Sequence, residues 1–356
     1  MSVKAIKRIR PEVRAIDGYH LVAYDCAVKL NQNESPFDVP PHVKDRILAR
    51  IRNLQWSRYP EPMPQDLVQA AASYVGFAPE QVMVANGSNS IIQHILNAIV
   101  APGVSVAIPS PSFSLYGQFT EILGGTPIYV GLDESFGYDT VALNEAAASG
   151  VSAVIICSPN NPTGCDISND DLAVLLEATD ALVVVDEAYA EFNDHSALDL
   201  LSAHDNLIIL KTLSKAFGAA AIRIGCLIAH PDIVDEIHKI KLPFDINLFS
   251  RVAAIELLSD REQIEQNVAY VVEERDRVFD QLSGIRGITA YPSKANLILF
   301  EVEDPGSVFE QLAEKGVLIR NVSGYPGLAN GLRTCIGTRE ENDAFLSALE
   351  STMELA

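Results

Sequence analysis

The chain has 356 residues, enough for two domains or for one large domain with a satellite. Its 26 basic and 47 acidic side chains give a net charge of −21, which argues against a nucleic-acid partner, since that needs a basic face. Five scattered cysteines without a CxxC pair and seven histidines without ligand spacing argue against a disulfide framework or a structural metal site. Residues 1–20 are basic but lack the apolar stretch of a signal peptide, and no apolar run approaches a membrane span. The expectation is a soluble, cytoplasmic protein.

In chain order, residues 1–35 read as a charged arm ending in the turn-like segment from Asn31 to Pro36. An amphipathic helix is expected from Pro41 to Ile51, and the stretch from Tyr59 to Pro64 is too rich in proline to be regular. From about 66 to 240, short apolar strands alternate with helical stretches. Strands are predicted at Gln81–Val84, Ser105–Ile108, Pro127–Val130, Ala153–Cys157, Ala181–Val185, Leu207–Leu210 and Gly225–Ala229. Helices are predicted at Ser90–Val100, Phe113–Leu123, Asn169–Ala178 and Pro231–Lys239. Such alternation predicts an α/β fold, a mostly parallel seven-stranded sheet covered by helices on both faces. A long helix, kinked near Asp260, should follow from Leu248 through Leu282. Strands at Asn296–Phe300, Val317–Arg320 and Leu332–Ile336 then suit a small α+β domain. The expected division is an arm over 1–35, a large domain over 36–245 and a small domain over 246–356.

Ligands of open α/β sheets sit beyond the carboxyl ends of the strands, and the informative residues fall there. Asn86-Gly-Ser-Asn-Ser90 opens a helix, and backbone N–H groups at a helix N-terminus favour phosphate; a plain strand-to-helix turn explains the same residues. Pro109-Ser-Pro-Ser-Phe-Ser-Leu-Tyr116 places the Phe113 ring where it can stack on a flat ligand or fill the core. In Cys157-Ser-Pro-Asn-Asn-Pro-Thr-Gly164, turn chemistry accounts for proline and glycine but not for two adjacent asparagines. Asp186 ends a buried strand, where a carboxylate is costly to ionise unless a cation faces it or it caps the next helix; Tyr189 follows it. Lys215, in Thr212-Leu-Ser-Lys-Ala-Phe-Gly218, has Arg223 downstream. A desolvated amine with a second cation nearby is how a lysine becomes able to form an imine. Together these residues equip a site for pyridoxal 5′-phosphate, where the protein orients the cofactor and the cofactor draws the electrons.

Carried by KLNQNESPF, RYPEP, ANGSNSII, PSFSLY, CSPNNPTG, VVVDEAYAEF, TLSKAFG, IRIG and GLRTCIGTREEND, nearly the whole chain resembles the fold-type I aminotransferases and, more narrowly, the histidinol-phosphate aminotransferases. The resemblance implies that Lys215 carries the cofactor as an imine and later shuttles a proton, and that Asp186 holds the pyridinium nitrogen. Tyr189 and Asn161 would bind the ring's phenolic oxygen, and Phe113 would stack on the ring. The phosphate would be held by Ser88, Asn89, Ser214 and Arg223, with Thr212 in the cofactor-binding set and Tyr59 reaching in from the neighbouring subunit of a homodimer. Arg333 matches the arginine that grips the substrate's acidic group; with Arg320, Tyr19 and Asn33 it forms the implied substrate set. Two guanidiniums suit a phosphate dianion, where one suffices for a carboxylate. Ser90 stands where an acidic residue is usual, Phe113 replaces the commoner tyrosine, and Gly218-Ala-Ala-Ala-Ile222 is simpler than the family pattern.

The implied reaction is transamination between histidinol phosphate and 2-oxoglutarate, giving imidazole acetol phosphate and glutamate in histidine biosynthesis. An aromatic amino acid aminotransferase and a threonine-phosphate decarboxylase share the fold and cofactor site. A non-catalytic PLP-binding module is the reading from a different class. Against it, the arm is too short for a winged helix, and both Lys215 and Asp186 are present.

Overall fold

A computed structural model describes residues 4–16, 18 and 24–354. The strands in chain order are β1 (Val28–Lys29), β2 (Val82–Ala85), β3 (Ser105–Ser110), β4 (Thr126–Gly131), β5 (Ala153–Cys157), β6 (Leu182–Asp186), β7 (Leu207–Thr212) and β8 (Gly225–Ala229). They continue as β9 (Thr289–Ala290), β10 (Leu297–Glu301), β11 (Val317–Leu318), β12 (Arg320–Asn321) and β13 (Gly331–Cys335). Strands β2 to β8 build a seven-stranded sheet in the order β2-β8-β7-β6-β5-β3-β4. All neighbours are parallel except at β8, which runs antiparallel to both β2 and β7. The run Ala153-Val-Ile-Ile-Cys157 is buried at every residue, because helices cover both faces and no solvent side exists for alternation to mark.

The helices start where side chains can cap them. The Ser168 hydroxyl accepts from the Asp171 N–H at 3.1 Å, and the Asp139 carboxylate accepts from Ala142 at 2.9 Å. The Asp139-capped helix Thr140–Ala148 was not among the expected ones; its alanine-rich sequence has weak apolar periodicity. At the last helix, Arg339–Met353, Thr338 and Glu341 close a reciprocal capping box.

Two expectations are corrected. The long helix from Leu248 is not kinked but broken: Leu248–Ser259 and Arg261–Gly284 are separate helices, because Asp260 leaves helical geometry at φ −107° and ψ 67°. The first of these packs on the helices Pro41–Arg52 and Gln65–Val75, where Glu256 pairs with Arg46 and Arg50, and Arg251 with Asp66. The strand expected over Val317–Arg320 is split at Ile319. Its first half pairs with β1 and its second half with β13, so one short segment serves two sheets.

Strands β12-β13-β10-β9 form a second, antiparallel sheet. Residues of the arm reach it: β1 lies parallel to β11, and the Cys335 N–H donates to the Leu30 carbonyl at 3.0 Å. Between helices Arg261–Gly284 and Arg339–Met353, buried Glu274 accepts from Arg277, Arg339 and Asn342.

Ile209, fully buried at the centre of β7, sets a test of the core. Ile209→Ala should cost about 2–5 kcal/mol in urea unfolding. Val174→Ala on the exposed side of helix Asn169–Glu177 should stay within about 0.5 kcal/mol of the parent. Equal losses at the two positions would contradict the placement of the core.

Candidate active site

Along the sheet, β3 leads outward to β4 while β5, β6 and β7 step the other way, so the winding direction reverses between β3 and β5. The crevice beyond the carboxyl ends at such a reversal is where open sheets hold ligands. A cavity of about 390 Å³ opens there. It is lined by residues from the ends of β3, β5, β6 and β7, from the arm, and from β12 and β13.

Lys215 lies in the turn after β7. Its Nζ donates to the Gln32 carbonyl at 3.0 Å and sits 5.8 Å from the centre of the Tyr189 ring. Burial lowers its pKa to about 8; the Arg333 guanidinium and, more weakly, Arg223 push the same way, against Cys335 and Glu34. A substantial share of this amine is therefore neutral near physiological pH. Asp186 is buried at the end of β6, where its Oδ2 accepts from the Tyr116 hydroxyl at 2.8 Å and its Oδ1 from the Ala188 N–H at 3.1 Å. Burial raises its carboxyl to about 6 despite both bonds, so this carboxylate is well suited to a cationic partner in the cavity.

On the far side of the cavity, the helix Ser88–Ile99 begins with Gly87 as N-cap and no side-chain cap. Its first N–H groups have no partner within the helix. Gly87 has φ +81°, and a Cβ there would run into the Arg223 guanidinium. A Cβ on Gly225 would lie 2.6 Å from the Ser88 nitrogen. These two glycines let the helix end, β8 and Arg223 close on one point. Arg223, itself left-handed at φ +58°, donates from Nη1 to Ser214 Oγ at 3.1 Å, and the Thr212 hydroxyl donates to the same oxygen at 3.1 Å. A helix N-terminus, a guanidinium and two hydroxyls form an anion cradle.

The opposite wall is cationic. Arg320 and Arg333 are direct partners across β12 and β13. Arg333 is buried, and it donates to Asn161 Oδ1 at 2.5 Å and to the Asn31 carbonyl at 2.7 Å, while its Nε has no protein partner. Tyr189 is buried, and its hydroxyl accepts from Asn33 Nδ2 at 3.0 Å. Asn33 adopts φ +53°, the left-handed region that asparagine tolerates better than most residues. Phe113 lines the cavity and meets the Tyr116 ring edge-on at 5.5 Å between centroids.

The structure thus gathers Ser88, Asn89, Phe113, Asn161, Asp186, Tyr189, Thr212, Ser214, Lys215, Arg223, Asn33, Arg320 and Arg333 around one cavity. Tyr59 is not there. It is 84 % exposed, away from the cavity lining, and packs on Phe244 at 5.0 Å. Tyr19 lies outside the described residues. Sequence reasoning passed over Tyr116, although it sits three residues after Phe113, a spacing that puts both rings on one face of a helical turn. It also passed over Tyr325 and the carbonyls of Asn31 and Gln32; backbone acceptors carry no sequence signature. The donor set fits a flat ring with a phosphate at one end, a basic nitrogen facing Asp186 and an aldehyde within reach of Lys215.

A family profile described as aminotransferase class I and II matches residues 26–349. A histidinol-phosphate aminotransferase of Chlorobaculum tepidum is 39% identical over 345 residues, covering 96% of this chain and 99% of that protein. One of Prosthecochloris aestuarii is 40% identical over 327 residues, covering 90% and 91%. Among solved structures, the histidinol-phosphate aminotransferase of Sinorhizobium meliloti in complex with pyridoxal-5′-phosphate superposes with a TM-score of 0.90 at 23% identity, covering 100% of both chains. That likeness speaks for the fold. With the profile and the two sequence relatives beside it, the chain belongs to the class I and II aminotransferase family.

Proposed function

We propose that the protein transfers the amino group of histidinol phosphate to 2-oxoglutarate, using pyridoxal 5′-phosphate, in histidine biosynthesis. The observation that carries this reading is the Lys215 amine, lowered to about 8 inside a cavity that also presents a buried carboxylate, an anion cradle and two guanidiniums. Relatives named for this activity at 39% identity over nearly the full length support the choice of substrate. When bound, the cofactor supplies an aldehyde for amine exchange and a ring that draws electrons from the substrate carbon.

The chain's own residues do the rest. Ser88, Asn89, Thr212, Ser214 and Arg223 would hold the cofactor phosphate, and Phe113 would lie against the ring. Asp186 would face the ring nitrogen, with Tyr116 fixing its Oδ2. Tyr189 and Asn161 would hold the phenolic oxygen. Lys215 Nζ would anchor the cofactor at its aldehyde end and, as a partly neutral amine beside the substrate, would remove the substrate Cα proton and return it on the other side of the transfer. Arg320 and Arg333, with Asn33 and Tyr19, would grip the substrate phosphate in one half-reaction and a carboxylate of 2-oxoglutarate in the other.

The active form we propose is a homodimer, placed in the cytoplasm. Trp56 and Tyr59, 65 % and 84 % exposed, pair with Phe249 and Phe244 at 5.0 Å each, an aromatic surface suited to a second copy of the chain. Tyr59 would then serve the partner's cofactor phosphate. Among the described residues no helix is long and apolar enough to cross a membrane.

Holoenzyme mixed separately with histidinol phosphate, phenylalanine, tyrosine and threonine phosphate should bleach fastest with histidinol phosphate. A faster reaction with phenylalanine would make it an aromatic aminotransferase, and carbon dioxide release from threonine phosphate a decarboxylase. Arg320→Ala should weaken histidinol phosphate by about 1.5–3 kcal/mol, roughly tenfold to a hundredfold, and glutamate much less. Equal losses would remove the case for phosphate selectivity. A lysine pKa held below its ordinary value leaves more neutral amine at every pH below that value. Capture of pyridoxal 5′-phosphate by the apoenzyme should therefore rise with pH and level off above about 8. A rate still climbing toward about 10.4 would mark an unperturbed lysine. Mixing Lys215→Ala with Tyr59→Phe protein should give hybrids with one intact site and a gain of activity over either variant. No gain would rule out service across the dimer.

A further inference from the structure

A second group of charges lies behind the sheet, away from the cavity. Asp186 and Glu187 are consecutive at the end of β6, so their side chains leave on opposite sides; Asp186 lines the cavity and Glu187 does not. Glu187 is 2 % exposed and accepts from Ser196 Oγ at 2.7 Å and the Ala197 N–H at 2.6 Å. Lys211, buried on β7, places its Nζ 2.9 Å from Glu187 Oε2 and 3.3 Å from Glu191 Oε1. The Tyr74 hydroxyl donates to Glu191 Oε1 at 3.2 Å. Among the described residues, Lys211 is the one cation paired with either carboxylate.

A buried ion group of this kind is a weak stability device, because desolvation offsets the attraction. Its position argues for another role. Glu187 is covalently next to Asp186, and its negative charge opposes ionisation of the Asp186 carboxyl through a poorly screening interior. Burial works against the charge on Lys211, and the carboxylates of Glu191 and Glu187 more than restore it, so the ammonium persists. We propose that Lys211 is a positioning residue for the reaction, its ammonium offsetting the Glu187 charge behind the sheet so that Asp186 stays ionised toward the cofactor's ring nitrogen. This rests on the reading that pyridoxal 5′-phosphate is the cofactor.

The test is the 15N chemical shift of ring-labelled pyridoxal 5′-phosphate bound to the parent and to variants. Glu187→Gln removes a negative charge and should move the ring nitrogen toward its protonated form. Lys211→Met removes the neutralising charge and should move it the other way, each on the order of tenfold in the protonation ratio. Lys211→Met/Glu187→Gln should fall between the two, and Lys211→Arg should match the parent. Merely structural loosening moves both single variants in the same direction, and that result, or no movement, overturns the proposal. Should Lys211→Met not fold, the Glu187→Gln shift alone decides. Failure of the parent to bind the labelled cofactor would instead overturn the cofactor assignment.

Discussion

Partial desolvation of one amine is the constraint on which the site depends. Lys215 Nζ sits in the turn after a fully buried strand, with Arg333 and Arg223 near enough for their charge to disfavour a third cation. Burial alone would lower its pKa, and the guanidiniums add to that. Burial, with the neighbouring Glu187 charge adding to it, raises the Asp186 carboxyl to about 6 although Lys215 pulls the other way, so a weakened base and a weakened acid stand at the ends of neighbouring strands.

Several parts of the chain must meet for that site to exist. Arg333, on β13, is tied to Asn161 after β5 and to Asn31 in the arm. Asn296 donates to the Asn33 carbonyl at 3.2 Å, and the Lys294 N–H donates to Gly164 at 2.8 Å. The smaller sheet, the arm and the Asn-Pro-Thr-Gly turn are thus fastened to one another at the rim of the cavity. The guanidiniums of Arg320 and Arg333 are thereby held across the cavity from Lys215, which follows a strand of the larger sheet.

Much of this could be read from the residues. Unbroken apolar runs such as Ala153–Cys157 and Leu207–Leu210 announced strands buried on both faces, and they are found within a residue or two of their expected bounds. Chemistry-bearing residues at strand ends were legible because buried strands leave few reasons for a carboxylate, an amide or a lysine to stand there. What escaped had no local signature. The break at Asp260 depends on one residue's dihedrals inside an otherwise helical pattern, and the split at Ile319 depends on which of two sheets each half meets. The carbonyls of Asn31 and Gln32 act through backbone atoms that every residue possesses.

The most direct measurement is hydride reduction of the holoenzyme followed by peptide mass spectrometry. The account predicts one pyridoxyl phosphate adduct per chain, on Lys215, and none in a Lys215→Ala protein that still binds the cofactor. An adduct on another lysine, or colourless protein with no adduct, would contradict it.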